Sequence, residues 1–448
     1  MTSAPLSSDE PVAFRGAFLD FVADPFHQPE DDCVRYLRDG LLVVVDGKIQ
    51  AFGTYGSLQG AYGELPITDY RDRLIVPGFI DTHIHYPQTE MIAAYGEQLL
   101  TWLEQYTFPV ESKFADKDYA SKIAHIFLDE LLRNGTTTAL VLATVHPESV
   151  DAFLEASEQR GLRMIAGKVM MDRNAPESVR DTAESSYQQT KALIEKWHGR
   201  GRLSYAVTPR FAPTSTPQQL AYAGRLLQEF PGVYLHTHLS ENENEVAWVQ
   251  ELFPDCAGYL DVYEQAGLVT NRSVFAHGVQ LTEEEFNRLA EQGSTIAHCP
   301  TSNLFLGSGL FNLVKAKENN IPVGIATDVG GGTGFSLLQT LSEAYKVAQL
   351  RQNNLSSFQA LFLATLGGAQ ALHLSDSLGN FGPGKDADFV VLNRQPTPLL
   401  KLRNSSDLPT NLQELADQTF ALMMLGDDRA VAATYILGKL AHSTDSRL

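Results

Sequence analysis

The sequence predicts an α/β fold, a (β/α)8 barrel of the TIM type with a small discontinuous β-sandwich assembled from the N- and C-terminal segments. Three observations predict it. Eight short apolar runs of β character alternate with stretches of helical period between residues 78 and 328. Strand-like segments lie outside that alternation, before residue 77 and after residue 379. Histidines or a carboxylate stand at the ends of four of the eight runs, the rim at which such barrels carry their chemistry. The chain divides accordingly into 1–76, the N-terminal part of the sandwich, 77–379, the barrel, and 380–448, the C-terminal part of the sandwich.

In chain order, AFRGAFLDFV (13–22) and RYLRDGLLVVVDGKIQAFG (35–53) read as strands, the second with Asp46-Gly47 as a turn signal. The barrel runs follow as GFIDTHIH (78–85), TTTALVLAT (136–144), RMIAGKVMM (163–171) and LSYAVTP (203–209), then VYLHTHL (233–239), SVFAHG (273–278), STIAHCP (294–300) and PVGIATD (322–328). Between the first two, DYASKIAHIFLDELLRNG (118–135) has apolar residues at helical spacing and ends on Gly135 as a C-cap. The tail returns to β character in DADFVVLN (386–393) and AATYILGKLAH (432–442), which can meet the N-terminal set in one sandwich. No internal repeat or low-complexity segment occurs.

At 448 residues the chain has room for a barrel with an appended module, and 44% apolar residues supply a large core. A formal charge of −20 and a pI near 5.0 argue against nucleic acid or an anionic membrane surface as partner, because the summed field repels both. A neutral or cationic small molecule remains open. Cys33, Cys256 and Cys299 are odd in number, widely spaced and outside any CxxC pair, which points to a reducing compartment and not to a disulfide framework. MTSAPLSSDEPVAF at the start has no basic region leading into an apolar stretch, and no run of about 18 apolar residues occurs. The expected setting is the cytoplasm.

The segment PGFIDTHIHYPQ (77–88) places His83 and His85 two residues apart on a strand, so both rings leave the same face. Run 5 ends in His236 and His238, run 6 in His277 and run 8 in Asp328. Three histidines and one aspartate leave room for a water on Zn2+ or a similar ion, and lowering that water's pKa toward about 7 makes hydroxide available at neutral pH. His236 and His238 share a face, and only one of them is expected at the metal; His238 lies nearer the strand end. Glu241, three residues on, is placed to shuttle protons from the bound water to the leaving group.

These residues carry a resemblance. PGFIDTHIH, the HxxE after run 5, AHG of run 6, HCPTSN of run 7 and TDVGGG after run 8 resemble the metal-dependent deaminase branch of the amidohydrolase superfamily. The match runs from about residue 40 to the tail, where FGPGKDADFVVLN resembles that family's return to its sandwich. Within the branch, LLTWLEQYTFPVE (99–111) and VTPRFAPT (207–214) are similar to the guanine deaminases. The resemblance implies one zinc per chain held by His83, His85, His238 and Asp328, with Glu241 as proton shuttle and His277 hydrogen-bonded to the metal-bound water or the developing oxyanion. Binuclear relatives use a carboxylated lysine at the end of strand 4, where this chain has Thr208, Pro209 and Arg210. Lys168 in run 3 is the remaining lysine to place.

The same resemblance implies that guanine is hydrolysed to xanthine and ammonia, with Asp328 assisting the proton transfers, and that the enzyme is a homodimer. Gln88, Arg210 and Phe211 then face the substrate: a guanidinium donates to O6, a phenyl stacks on the base, and a carboxamide reads the ring edge. Trp102, Phe108 and Glu111 would form the outer wall. The alternatives are a pterin, an oxidised guanine, an adenosine-type thioether or a triazine as substrate, and a catalytically silent structural relative. A cytidine-deaminase type of zinc site needs PCxxC, which this chain lacks.

Overall fold

The computed structural model describes residues 10–95, 98–405 and 407–444; residues 1–9, most of the opening stretch MTSAPLSSDEPVAF, lie outside them. The chain forms two compact units, one of Met1–Ile80, Leu131–Thr137 and Ser356–Leu448, the other of Asp81–Glu130 and Thr138–Leu355.

The first unit holds a seven-stranded mixed sheet. Its N-terminal strands are β1 (Val12–Phe21), β2 (Val34–Val45), β3 (Lys48–Thr54) and β4 (Ile67–Pro77). β2 and β3 form a hairpin whose two turn residues, Asp46 and Gly47, both take positive φ (50° and 75°), the primed turn that Asp-Gly favours. Three C-terminal strands, Phe389–Leu392, Val431–Ile436 and Lys439–Ser443, join through the antiparallel pairing of the first of them with β4. The segment 432–442, read from sequence as one β stretch, is itself a hairpin that turns at Leu437 and Gly438, again both at positive φ.

The sheet curls on itself. Phe14 of β1 and Tyr435 lie on strands separated by two others, yet their rings are 4.9 Å apart. Phe389 stacks on Tyr435 at 4.6 Å, and Phe18, Phe52 and Phe381 close the same core. Backbone bonds from Ile49 to Lys385 (2.9 Å) and from Ala387 to Gly47 (2.9 Å) tie the N-terminal hairpin to the tail. The sandwich expected from the two chain ends is thus one continuous sheet folded over.

The parallel sheet comprises β5 (Phe79–His85), β6 (Thr136–Leu142), β7 (Arg163–Gly167), the two-residue β8 (Val169–Met170), β9 (Ser204–Pro209), β10 (Tyr234–Leu239), β11 (Ser273–His277), β12 (Thr295–His298) and β13 (Val323–Ile325). Its order is β5-β6-β7-β9-β10-β11-β12-β13, with β8 beside β9. Every residue of β5, β6 and β10 is buried, as expected where helices cover one face and the barrel interior the other. Past the end of β13 the ring closes onto β5: Asp328 N–H donates to His83 O (3.0 Å) and His85 N–H to Val329 O (2.8 Å). Run 3 differs from the sequence reading in breaking at Lys168 into β7 and β8.

Helices alternate with these strands. Lys117–Arg133 buries Ala120, Ala124, Phe127, Leu128 and Leu131, the i, i+4, i+7, i+8, i+11 stripe of one helix face, and is followed by Gly135 at φ 81°. Pro217–Glu229 starts with proline at N1 and Thr216 Oγ1 accepting from Gln219 N at 3.2 Å. Gly78, ahead of β5, has no room for a side chain: a Cβ there would lie 2.1 Å from Thr137 Oγ1.

Candidate active site

β5 alternates so that the rings of His83 and His85 emerge on one face, with their Nε2 atoms 3.2 Å apart. Asp328 Oδ1 is 3.2 Å from the first and 3.3 Å from the second. The His238 ring centroid lies 4.7 Å from that of His83 and 5.3 Å from that of His85. Because His238 Nδ1 faces a backbone carbonyl, Arg210 O at 2.7 Å, it must carry the proton, which leaves Nε2 as a lone pair. One nitrogen from each of His83, His85 and His238 falls within 4.8 Å of the others, and a second grouping of the same width joins His83, His277, Cys299 and Asp328.

Burial holds the imidazoles of His83 (down to about 4), His85 and His238 below the usual histidine value, so their nitrogens are unprotonated donors at neutral pH. Burial alone would raise Asp328, but the neighbouring imidazoles of His83, His85 and His277 outweigh it and keep the carboxyl ionised. Three neutral imidazoles and one carboxylate make a donor set that fits a borderline divalent ion such as zinc. His277 and Asp328 both take positive φ (73° and 49°), an uncommon conformation for side chains of this size that marks the turn from strand to rim.

His236 lies two residues earlier on the same face of β10, fully buried, with Nε2 2.7 Å from His83 Nδ1. It stands behind His83 and in neither donor grouping. Lys168 is also fully buried, but its Nζ donates to Val169 O (3.1 Å) and pairs with Asp181.

Glu241 follows β10 and is buried, which pushes its carboxyl up to about 7. Its backbone N–H donates to Glu245 Oε2 (2.8 Å), the N3 acid of the capping box on helix Glu243–Leu252. Glu241 Oε2 is 3.4 Å from His277 Nε2, a buried nitrogen with no properly formed hydrogen bond among the described residues. Burial disfavours charge on His277, but the Glu241 and Asp328 carboxylates outweigh it and raise its pKa.

His85, His238, Glu241, His277 and Asp328 open into one concave pocket, the form usual for small-molecule sites. Gln88, Trp102, Arg210, Phe211 and Leu306 line it together with His85, His238, Glu241, His277 and Asp328. Phe108 and Glu111, expected in the wall, are not part of that lining. Glu111 is fully buried instead and holds two pocket residues: Arg210 NH1 donates to its two oxygens (3.0 and 2.8 Å) and Gln88 Nε2 donates to Oε1 (3.1 Å). Gln88 Oε1 accepts from Gly330 N–H at 3.0 Å. The segment carrying Trp102 and Glu111 stays helical from Leu99 to Ala115 but widens to π geometry over Leu103–Thr107, just before Pro109, whose missing N–H cannot continue the α-helical pattern.

Three residues escaped the sequence reading. Asn303 Oδ1 lies 2.9 Å from His277 Nδ1, Ser308 Oγ donates to Glu241 Oε1 at 3.1 Å, and Cys299 sits in the second donor grouping. The HCPTSN motif contains two of them, but no spacing rule ties either to a histidine on another strand.

Residues 74–441 match the model of the amidohydrolase family. The guanine deaminase of Escherichia coli (strain K12) is 55% identical over 436 residues, 96% of this chain and 97% of that protein. A solved E. coli guanine deaminase superposes with a TM-score of 0.92 at 51% identity, covering 98% of this chain and all of that one. The guanine deaminase of C. acetobutylicum, solved with guanine bound in the active site, gives a TM-score of 0.86 at 29% identity, covering 96% of this chain and all of that one. A family match over most of the chain, with relatives this similar from end to end, shows that the chain belongs to the amidohydrolase family, among its guanine deaminases.

Proposed function

We infer that this protein hydrolyses guanine to xanthine and ammonia, using one zinc ion held by His83, His85, His238 and Asp328. The observation that carries the reading is that His85, His238 and Asp328 of this donor set, with His83 buried directly behind them, share one pocket with the buried Glu241, Arg210 and Phe211. The relatives named as guanine deaminases, one of them with guanine bound, support the choice of substrate.

A zinc ion bound by these residues supplies Lewis acidity that makes a water nucleophilic at neutral pH. The chain's own residues do the rest. Arg210, held in place by Glu111, donates to guanine O6, while Gln88 faces the ring edge and Phe211 and Trp102 flank the base. Glu241 takes a proton from the attacking water, delivers it to N3, and carries the second water proton to the amine. The oxygen adds at C2, the C2–N bond breaks, and ammonia leaves. His277 hydrogen-bonds the oxygen on which charge develops, and Asp328 assists the proton transfers.

Purified protein is expected to carry about one zinc per chain, since Lys168 is paired with Asp181 and β9, the fourth run, offers no lysine. Elemental analysis finding two metals per chain would overturn the mononuclear reading. In a substrate panel read by ammonia release, guanine should lead adenine, cytosine and pterin. Arg210 would face adenine's exocyclic amine with a second donor, a buried mismatch costing about 1–3 kcal/mol. Pterin keeps the recognised edge, and its larger second ring is excluded by shape alone, worth ~10–200-fold. Faster ammonia release from pterin or adenine would sink the guanine assignment and leave metal-dependent deamination standing.

The setting belongs to the same proposal. All three cysteines are free and no helix among the described residues is long and apolar enough to cross a membrane, which supports a cytoplasmic enzyme. The homodimer implied by family resemblance is checked by light scattering.

A further inference from the structure

We propose that Ser308 is a positioning residue for the proton relay: the turn that ends the helix after β12 fixes which oxygen of Glu241 faces the substrate. This rests on the reading of Glu241 as the relay.

Helix Pro300–Phe305 stops at Gly307, which takes φ 68°, a left-handed conformation glycine adopts without steric cost. The stop has the Schellman pattern: Ser308 N–H donates to Asn303 O (2.8 Å) and Gly307 N–H to Leu304 O (3.3 Å). Gln280 Nε2 holds the Ser308 carbonyl at 2.7 Å. With both sides of its backbone tied, the buried Ser308 places its hydroxyl 3.1 Å from Glu241 Oε1.

A glutamate's terminal torsion is broad and nearly two-fold, so an unheld carboxylate presents either oxygen and samples unproductive angles. Engaging Oε1 leaves Oε2 as the proton carrier, 3.4 Å from His277 Nε2. The same short helix orients His277, because Asn303 Oδ1 faces His277 Nδ1 at 2.9 Å. One turn of chain thereby sets both members of the pair that faces the reacting atoms.

The test is steady-state kinetics on guanine with zinc content measured in parallel. Ser308→Ala should lower kcat by ~10-fold, equivalent to ~1.4 kcal/mol of barrier, with KM and zinc content within about two-fold of wild type. Ser308→Thr, which restores a hydroxyl, should recover most of that loss. In a Glu241→Gln background, Ser308→Ala should add less than about two-fold, because the two act as a unit. Wild-type kcat in Ser308→Ala, or a loss that appears in zinc content or persists in full in the Glu241→Gln background, would overturn the proposal. Normal turnover by Glu241→Gln alone would remove the relay reading itself, and this inference with it.

Discussion

Glu241→Gln is expected to keep its zinc, bind guanine with a near-normal KM, and lose ~10²–10⁴-fold in kcat, the range of a general acid-base group. The expectation rests on what the substitution leaves alone. The backbone at this position is held by Glu245 through the capping box, and the side chain is enclosed, so an isosteric amide stays in place. Ser308 can still donate to the amide oxygen. What disappears is the capacity to carry a proton between water, ring nitrogen and amine. Burial pushes the Glu241 carboxyl up to about 7, which suits a group that must both accept and release a proton near neutrality. Single-turnover ammonia release separates this from slow product release. A Glu241→Gln enzyme with near-wild-type kcat would take Glu241 out of the mechanism.

The barrel was legible in the sequence because its strands are covered on both faces, so eight apolar runs stand out against the amphipathic helices between them. The tail was less so. Leu437-Gly438 carries no strong turn chemistry, and the hairpin it makes is set by pairing with the rest of the sheet and not by local preference. Run 3 breaks at Lys168, whose buried ammonium turns to Asp181 on the loop beyond, a long-range contact that no period encodes.

The site divides in the same way. His83 and His85 are two residues apart on one strand, and Glu241 is three beyond His238, so local geometry alone brings each pair near. Glu111 lies 99 residues from Arg210, and Ser308 lies 67 from Glu241; both meet their partners only because the barrel places successive strand ends on one rim. Glu111, expected in the outer wall, is instead buried and paired with Arg210, as a buried acid must be. His236 was ambiguous because face and strand are the same for both histidines of β10, and depth along the strand is the only difference.

That difference supports the second large effect. His238→Ala should strip the metal, with content falling from about one per chain to near zero after dialysis and activity falling with it. His238 is proposed as the donor from β10 because its Nδ1–H is committed to Arg210 O, its Nε2 is unprotonated, and its ring meets those of His83 and His85. Removing it leaves two imidazoles and a carboxylate and takes away the Zn–N bond that β10 would contribute, in a site whose remaining donors are spaced for an ion also held from that side. His236→Gln should keep the metal. His236 touches His83 only at Nδ1, the nitrogen turned away from Asp328, and a carboxamide oxygen can accept the same proton at that position. Second-layer partners of this kind typically cost ~10–100-fold in metal affinity when lost, too little to empty a tightly held site. Elemental analysis of both variants, with circular dichroism to verify folding, distinguishes them. Metal retained by His238→Ala and lost by His236→Gln would exchange the two roles and place the inner histidine at the ion.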